Sequence, residues 1–174
     1  PEALTVLKIY NTEDGTFGST VLDYKTSPHA VRFLTTWLDA LNVEDVEIRT
    51  DGEASIKNVL NRLAIARHPK ITKKVQSAPH SHQSIGGVEQ SDRTLQGHIR
   101  TMKLSFEEHF GFRLTSGMVV LPWLVRYSAW PLTRFMPRGK FGQTAFEARQ
   151  GTGYDVQSCE FGVIVVARVP HEKN

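Results

Sequence analysis

The chain has 174 residues, 40% of them apolar, enough to bury one sizeable core and near the usual size of a single domain. No apolar run approaches the roughly 18 residues of a membrane helix, the longest being Met118–Val125 and Val163–Val169, so no membrane association is expected. One cysteine, Cys159, excludes an internal disulfide or a multi-cysteine zinc site and points to a reducing compartment, nucleus or cytoplasm. The formal charge of +3 is unevenly spread: residues 93–149 carry nine Lys and Arg against three acids, whereas residues 1–92 carry ten against twelve. A basic central block suggests a polyanionic partner, although charge alone equally describes a solvated helix face.

The chain opens on Pro1 with no signal-like segment, and it reads as a piece of something longer. Leu4–Tyr10 and Ser19–Tyr24 are rich in β-formers and flank turn chemistry at Asn11–Gly15, the pattern of a hairpin. Ser27-Pro28 starts a helix ending near Asn42, with Val31, Leu34, Leu38 and Leu41 at helical spacing. Val46–Thr50 alternates as a strand and stops at Asp51-Gly52. The next helix turns Ile56, Val59, Leu60 and Leu63 inward. A helical crossover of this kind marks an α/β sheet.

Val75–Ser77 offers a further short strand, and Ala78–Gly87 reads as loop. A long helix follows from about Val88 to Phe110, with an apolar seam of Val88, Leu95, Ile99, Met102 and Phe106. Its other stripe holds Glu89, Arg93, Gln96, Arg100 and Lys103. Another helix, Pro122–Trp130, sets Trp123, Tyr127 and Trp130 on one side as core, and Pro131 is expected to break or kink it. Arg138–Gly153 reads as a long connection, and Phe161–Val169 as a final strand. Cys159 is expected to be a buried small apolar residue.

Two carboxylates stand where backbone elements begin or end: Asp51 after a strand and Glu89 at the head of a helix, 38 positions apart. Phosphodiester chemistry uses such acids to hold divalent cations that stabilise attacking and leaving oxygens. Position alone leaves a plainer reading open, Asp51 as a helix cap and Glu89 as an answer to the helix dipole.

The segment APHSHQSIGGVEQSDRTL, Ala78–Leu95, closely resembles the motif around the catalytic Glu of retrotransposon integrases, particularly the copia-like group. The matching positions are Pro79, His80, Ser81, Gln83, Ser84, Gly86, Val88, Glu89, Arg93, Thr94 and Leu95. Arg49-Thr50-Asp51-Gly52 resembles the family's second catalytic Asp at the end of its fourth strand, and Leu4–Tyr24 its second and third strands. Gln143-Thr144-Ala145-Phe146-Glu147, with Gly151 and Phe161-Gly162, is similar to the copia-type tail of the core. Nearly the whole chain is covered.

The resemblance implies an α/β, ribonuclease-H-like fold, a mixed central sheet flanked by helices, in one domain over residues 1–174. Residues 1–112 would form the core proper and 113–174 a C-terminal extension. It implies Asp51 and Glu89 as ligands of Mg²⁺ or Mn²⁺, and His80, Gln83 and Ser84 in a DNA-contacting loop beside them. Arg93, Arg100 and Lys103 would meet backbone phosphates. The implied activity is metal-dependent joining of DNA ends to a target, within a polyprotein and in a homo-oligomer. His82, Ile85, Gly87, Gln90, Ser91 and Asp92 depart from the family's usual residues; loss of a base at Gln90 and gain of an acid at Asp92 would weaken phosphate contact. The family's first catalytic Asp lies on a strand upstream of the one Leu4–Tyr10 resembles, and Asp14 and Asp23 are no substitutes. With two ligands of three, metal would be held weakly, so a co-opted nucleic-acid-binding module without catalysis stands as the alternative. A ribonuclease-H-like nuclease of another kind is the third reading.

Overall fold

The computed structural model describes residues 4–76, 82–138 and 142–165, with only the backbone of 82–86. Strands β1 (Thr5–Tyr10) and β2 (Phe17–Leu22) form the expected antiparallel hairpin, Tyr10 opposite Phe17. Its turn closes because Asn11 N donates to Thr16 O at 2.9 Å and Asp14 Oδ1 accepts from Thr16 N at 2.7 Å. Gly15 stands there at φ +84°, where a side chain would be strained.

Helix α1 (Pro28–Ala40) starts as its sequence dictates: Ser27 Oγ accepts from His29 N, and Pro28 occupies the first turn. Strand β3 (Val46–Thr50) leads into helix α2 (Ala54–Ala66), which buries Val59, Leu60 and Leu63. Strand β4 (Thr72–Gln76) then pairs parallel to β3, from Val46↔Thr72 to Thr50↔Gln76. The principal core lies between these strands and the two helices: Leu7, Leu22, Ala30, Leu34, Leu38, Val59, Leu60 and Leu63, with Ile48 packed against it. Buried Arg67, capping α2, ties both parallel strands at their start. It donates to Val43 O and Glu44 O at 2.7 and 2.8 Å and to Thr72 Oγ1 at 2.9 Å.

The single mixed sheet expected from the sequence is instead two separate pairs, β1–β2 antiparallel and β3–β4 parallel. They share one core, yet no backbone hydrogen bond joins them among the described residues. The outer edge of β2 is covered by helix α4 (Val120–Phe135), which follows helix α3 (His82–Phe110). There Phe17 N donates to Thr133 Oγ1 at 3.1 Å and Ser19 Oγ to Val125 O at 2.6 Å.

Several expectations in the C-terminal half are corrected. Pro131 does not end α4, which continues to Phe135. The buried side of α4 is Leu121, Leu124, Val125, Ser128, Ala129, Leu132 and Thr133, whereas Trp123 is 72% exposed and Tyr127 stacks on Trp130 at its flank. Small residues let the helix lie close on β2, and the bulkier rings are displaced to the side. The connection after Arg138 contains helix α5 (Ala145–Gln150), nucleated by a Thr144/Glu147 capping box and stopped by Gly151 at φ +71°. Residues 161–165 form no strand; Phe161 packs on Phe106 and Tyr127 while Ile164 lies open. The remainder of that expected strand, 166–169, lies outside the described residues. Cys159 is exposed, its carbonyl accepting from Tyr127 Oη at 3.3 Å.

Candidate nucleic-acid interface and metal centre

Asp51 follows the last residue of β3 and is exposed. Its Oδ1 accepts from Glu53 N at 3.1 Å, closing the turn into α2, so the capping interaction expected of an Asp here is present. Gly52, at φ +85°, lets the chain pass against Gln76, the last residue of β4; a Cβ there would stand 2.6 Å from the Gln76 side chain. Because β3 and β4 are parallel, Asp51 and the exit from β4 share one edge. The six-residue step from Gln76 to His82 then places the start of α3 within about 20 Å of that edge.

Glu89 lies on α3, exposed and without an ion-pair partner among the described residues. The helix begins at His82 rather than near Val88, so Glu89 is not in its first turn, and the helix-dipole explanation of this acid loses its basis. The same early start places Gln83 and Ser84 in α3 instead of a loop; their side chains, and His80 altogether, lie outside what is described. The inward seam is also rotated. Val88 is 40% exposed, and Ser91 is buried in its place, its Oγ donating to Val88 O at 2.7 Å. Leu95 and Phe106 are buried as expected, with Ile99 and Met102 packed beside them.

Lys8 on β1 explains part of this rotation. Its Nζ lies 2.8 Å from Asp92 and donates to Val88 O, holding the first half of α3 against the hairpin. Asp92, read in the sequence as an acid intruding on a basic stripe, is therefore neutralised from the other side. Gln96 also donates to it, at 2.8 Å. Arg93 and Arg100 are exposed and unpaired among the described residues, seven positions apart on one face. Lys103 is engaged: it pairs with Glu107 at 2.9 Å, and Glu107 also accepts from Leu114 N at 2.6 Å. The Lys103 ammonium, foremost, and the Leu114 amide hold the Glu107 carboxyl below its usual range. The accessible basic stripe is thus shorter than the sequence suggests.

Half-buried His98, on the same helix, has a buried Nε2 without a partner among the described residues, and desolvation lowers its pKa below the ordinary 6.5. A histidine harder to protonate folded than unfolded adds nothing to the pH dependence of stability above 6.5. As pH falls through that value toward the folded pKa, the unfolded state takes up the proton first and stability is lost. Melting at pH 7.5 and 5.5 should show a drop that His98→Gln reduces; an equal drop in the variant would assign the loss elsewhere.

Among the described residues no group of three or more His, Cys, Asp or Glu is placed to hold a metal ion. Asp51 and Glu89 have the right chemistry for Mg²⁺ or Mn²⁺, but they do not form a closed donor set with a third ligand there.

No protein-family model matches the chain, and no curated protein matches it. Solved structures do. The chain is similar to the simian T-cell lymphotropic virus intasome in complex with PP2A regulatory subunit B56 gamma, with a TM-score of 0.62 and 15% identity over 98% of this chain and 54% of that one. It is similar to the catalytic core domain of BIV integrase (TM-score 0.55, 16% identity, 85% of this chain and 86% of that one). The HTLV-2 integrase catalytic core domain in complex with magnesium, in a trimeric form, gives 0.51 at 14% identity over 84% and 93%. The chain spans about half the length of the intasome chain it matches. The fold is that of retroviral integrase catalytic cores.

Proposed function

We propose that the chain is an integrase catalytic-core module of a retroelement polyprotein, of the copia-like kind, which binds DNA along α3 and takes part in metal-dependent DNA strand transfer. The observation that carries this reading is the agreement of motif and fold. The Ala78–Leu95 motif resembles that of integrases in its residues, and the fold is similar to integrase cores at 14% and 16% identity. Asp51 and Glu89 are proposed as two ligands of a divalent cation, Mg²⁺ or Mn²⁺, an ion that accompanies one of the structural neighbours. A ribonuclease-H-like sheet would be completed by a further strand joining the β1–β2 and β3–β4 pairs, which share a core without sharing hydrogen bonds. Such a strand would bring the third carboxylate. The neighbours described as an intasome and as trimeric support assembly into a homo-oligomer, and DNA in the nucleus or cytoplasm is the proposed partner.

A second reading, a nucleic-acid-binding module without catalysis, is favoured by the missing third ligand among the described residues. Both readings require DNA on the exposed stripe. Fluorescence anisotropy with duplexes of unrelated sequence should show similar affinities that fall steeply with salt. Arg93→Glu with Arg100→Glu should weaken binding on the order of tenfold or more at low salt and flatten the salt slope by about two units. An unchanged slope would remove α3 from the interface.

A further inference from the structure

A cavity of about 960 Å³ opens between α1, the start of β2, α4 and α5. Among the described residues its lining contains Arg32, Arg126, Arg134, Arg149 and His29, and no Asp, Glu or α3 residue. Arg149 is balanced, since it pairs with Asp14. The others are not. Arg32 and Arg126 are exposed and have no hydrogen-bond or ion-pair partner among the described residues. Arg134 is held among rings, its guanidinium carbon 4.3 Å from the Trp130 centroid, 5.2 Å from Tyr154 and 5.6 Å from Phe146. Its Nη1 donates to Trp130 O at 3.4 Å, whereas its Nε is buried without a hydrogen-bond partner among the described residues, as is Thr16 Oγ1 in the same wall. Aromatic faces attract a cation but do not replace a counter-charge, and a partly buried guanidinium without one is disfavoured. Burial accordingly pushes the Arg134 pKa down.

We propose that this cavity is an anion site for a chain of phosphates, gripped by Arg32 from α1 and Arg126 from α4 over the positive wall that Arg134 supplies. Guanidinium forks match phosphate oxygens in pairs, and the volume lies within the range of small-ligand sites. A free nucleotide and a nucleic-acid strand both present this chemistry. The cavity shares no lining residue with the motif around Glu89 or the basic stripe of α3, so its failure to bind phosphate would leave the strand-transfer reading standing.

The test is titration with sodium tripolyphosphate, followed by calorimetry and by the fluorescence of Trp37 and Trp130, both of which line the cavity. One equivalent should bind. Arg32→Ala and Arg126→Ala should each weaken binding about tenfold or more, the value of a charge-assisted hydrogen bond, with melting temperature unchanged because both residues are exposed. Arg126→Lys should restore part of the loss, and Arg93→Glu with Arg100→Glu should leave tripolyphosphate affinity as it was. A single-stranded oligonucleotide that displaces tripolyphosphate, and is itself weakened by Arg126→Ala, would identify nucleic acid as the source; failure to compete would identify a free phosphate compound. The proposal is overturned if tripolyphosphate does not bind, or binds the double alanine variant as tightly as the wild type. It is equally overturned if an acidic peptide binds there more tightly. Dissociation of a dimer by the double variant, without tripolyphosphate binding, would make the cavity a subunit interface instead.

Discussion

Glu89→Gln in the full gene product is expected to reduce Mg²⁺-dependent joining of DNA ends on the order of a thousandfold or more, while leaving DNA affinity unchanged or slightly raised. The magnitude follows from the work a divalent cation does at a phosphodiester, several kcal/mol of charge stabilisation, each 1.4 kcal/mol being about tenfold in rate. Glutamine keeps the shape of the side chain and removes only its charge. Because Glu89 is exposed and makes no ion pair among the described residues, the exchange has little structural consequence to confuse the result. Asp51→Asn should act in the same direction. Its amide also retains an oxygen to accept from Glu53 N, so the turn into α2 is preserved. Joining at the wild-type rate by Glu89→Gln, with wild-type joining established, would remove this residue from the chemistry.

The second large effect concerns the frame that presents Asp51. Leu63 is fully buried in the core that α2 shares with both strand pairs. Leu63→Ala should lower the unfolding free energy by about 2–5 kcal/mol, the cost of lost apolar burial together with the cavity left behind. Urea unfolding followed by circular dichroism would measure it. A loss below about 1 kcal/mol would mean that the two pairs are not bound through one core.

The N-terminal half was largely legible in the sequence because its signals are local. The hairpin around Asn11–Gly15, the Ser27-Pro28 start of α1 and the inward face Val59, Leu60, Leu63 of α2 all appear where alternation, capping and helical spacing put them. What local pattern does not carry is the partner. Val88 belongs to an apolar series by spacing, but Lys8 reaching across from β1 to Asp92 and to the Val88 carbonyl turns α3 so that Ser91 faces inward. The aromatic residues of α4 likewise suggested a buried side. Close approach to β2 requires Ser128, Ala129 and Thr133 there, so Trp123 is left exposed and Trp130 packs over Arg134 with Tyr127 stacked on it. Helix α5 carries a local signal as well, since Thr144 and Glu147 stand at capping-box spacing.

For the candidate site, the sequence supplied the residue types and their order, and the structure adds where two elements end. Asp51 lies at the shared edge of β3 and β4. Arg93 and Arg100 are accessible, whereas Lys103 is committed to Glu107. The arginines of the cavity beside β2 were not singled out, because Arg32, Arg126 and Arg134 are scattered over two helices and converge only in three dimensions.

We propose that Asp51 and Glu89 grip one cation. Iron-directed cleavage tests it most directly: Fe²⁺ bound in place of Mg²⁺, with ascorbate and peroxide, cuts the backbone only beside its ligands. The account predicts cuts next to both Asp51 and Glu89, suppressed together by excess Mg²⁺ and lost together in Glu89→Gln. Cleavage at one of the two positions alone, or at neither, would contradict it.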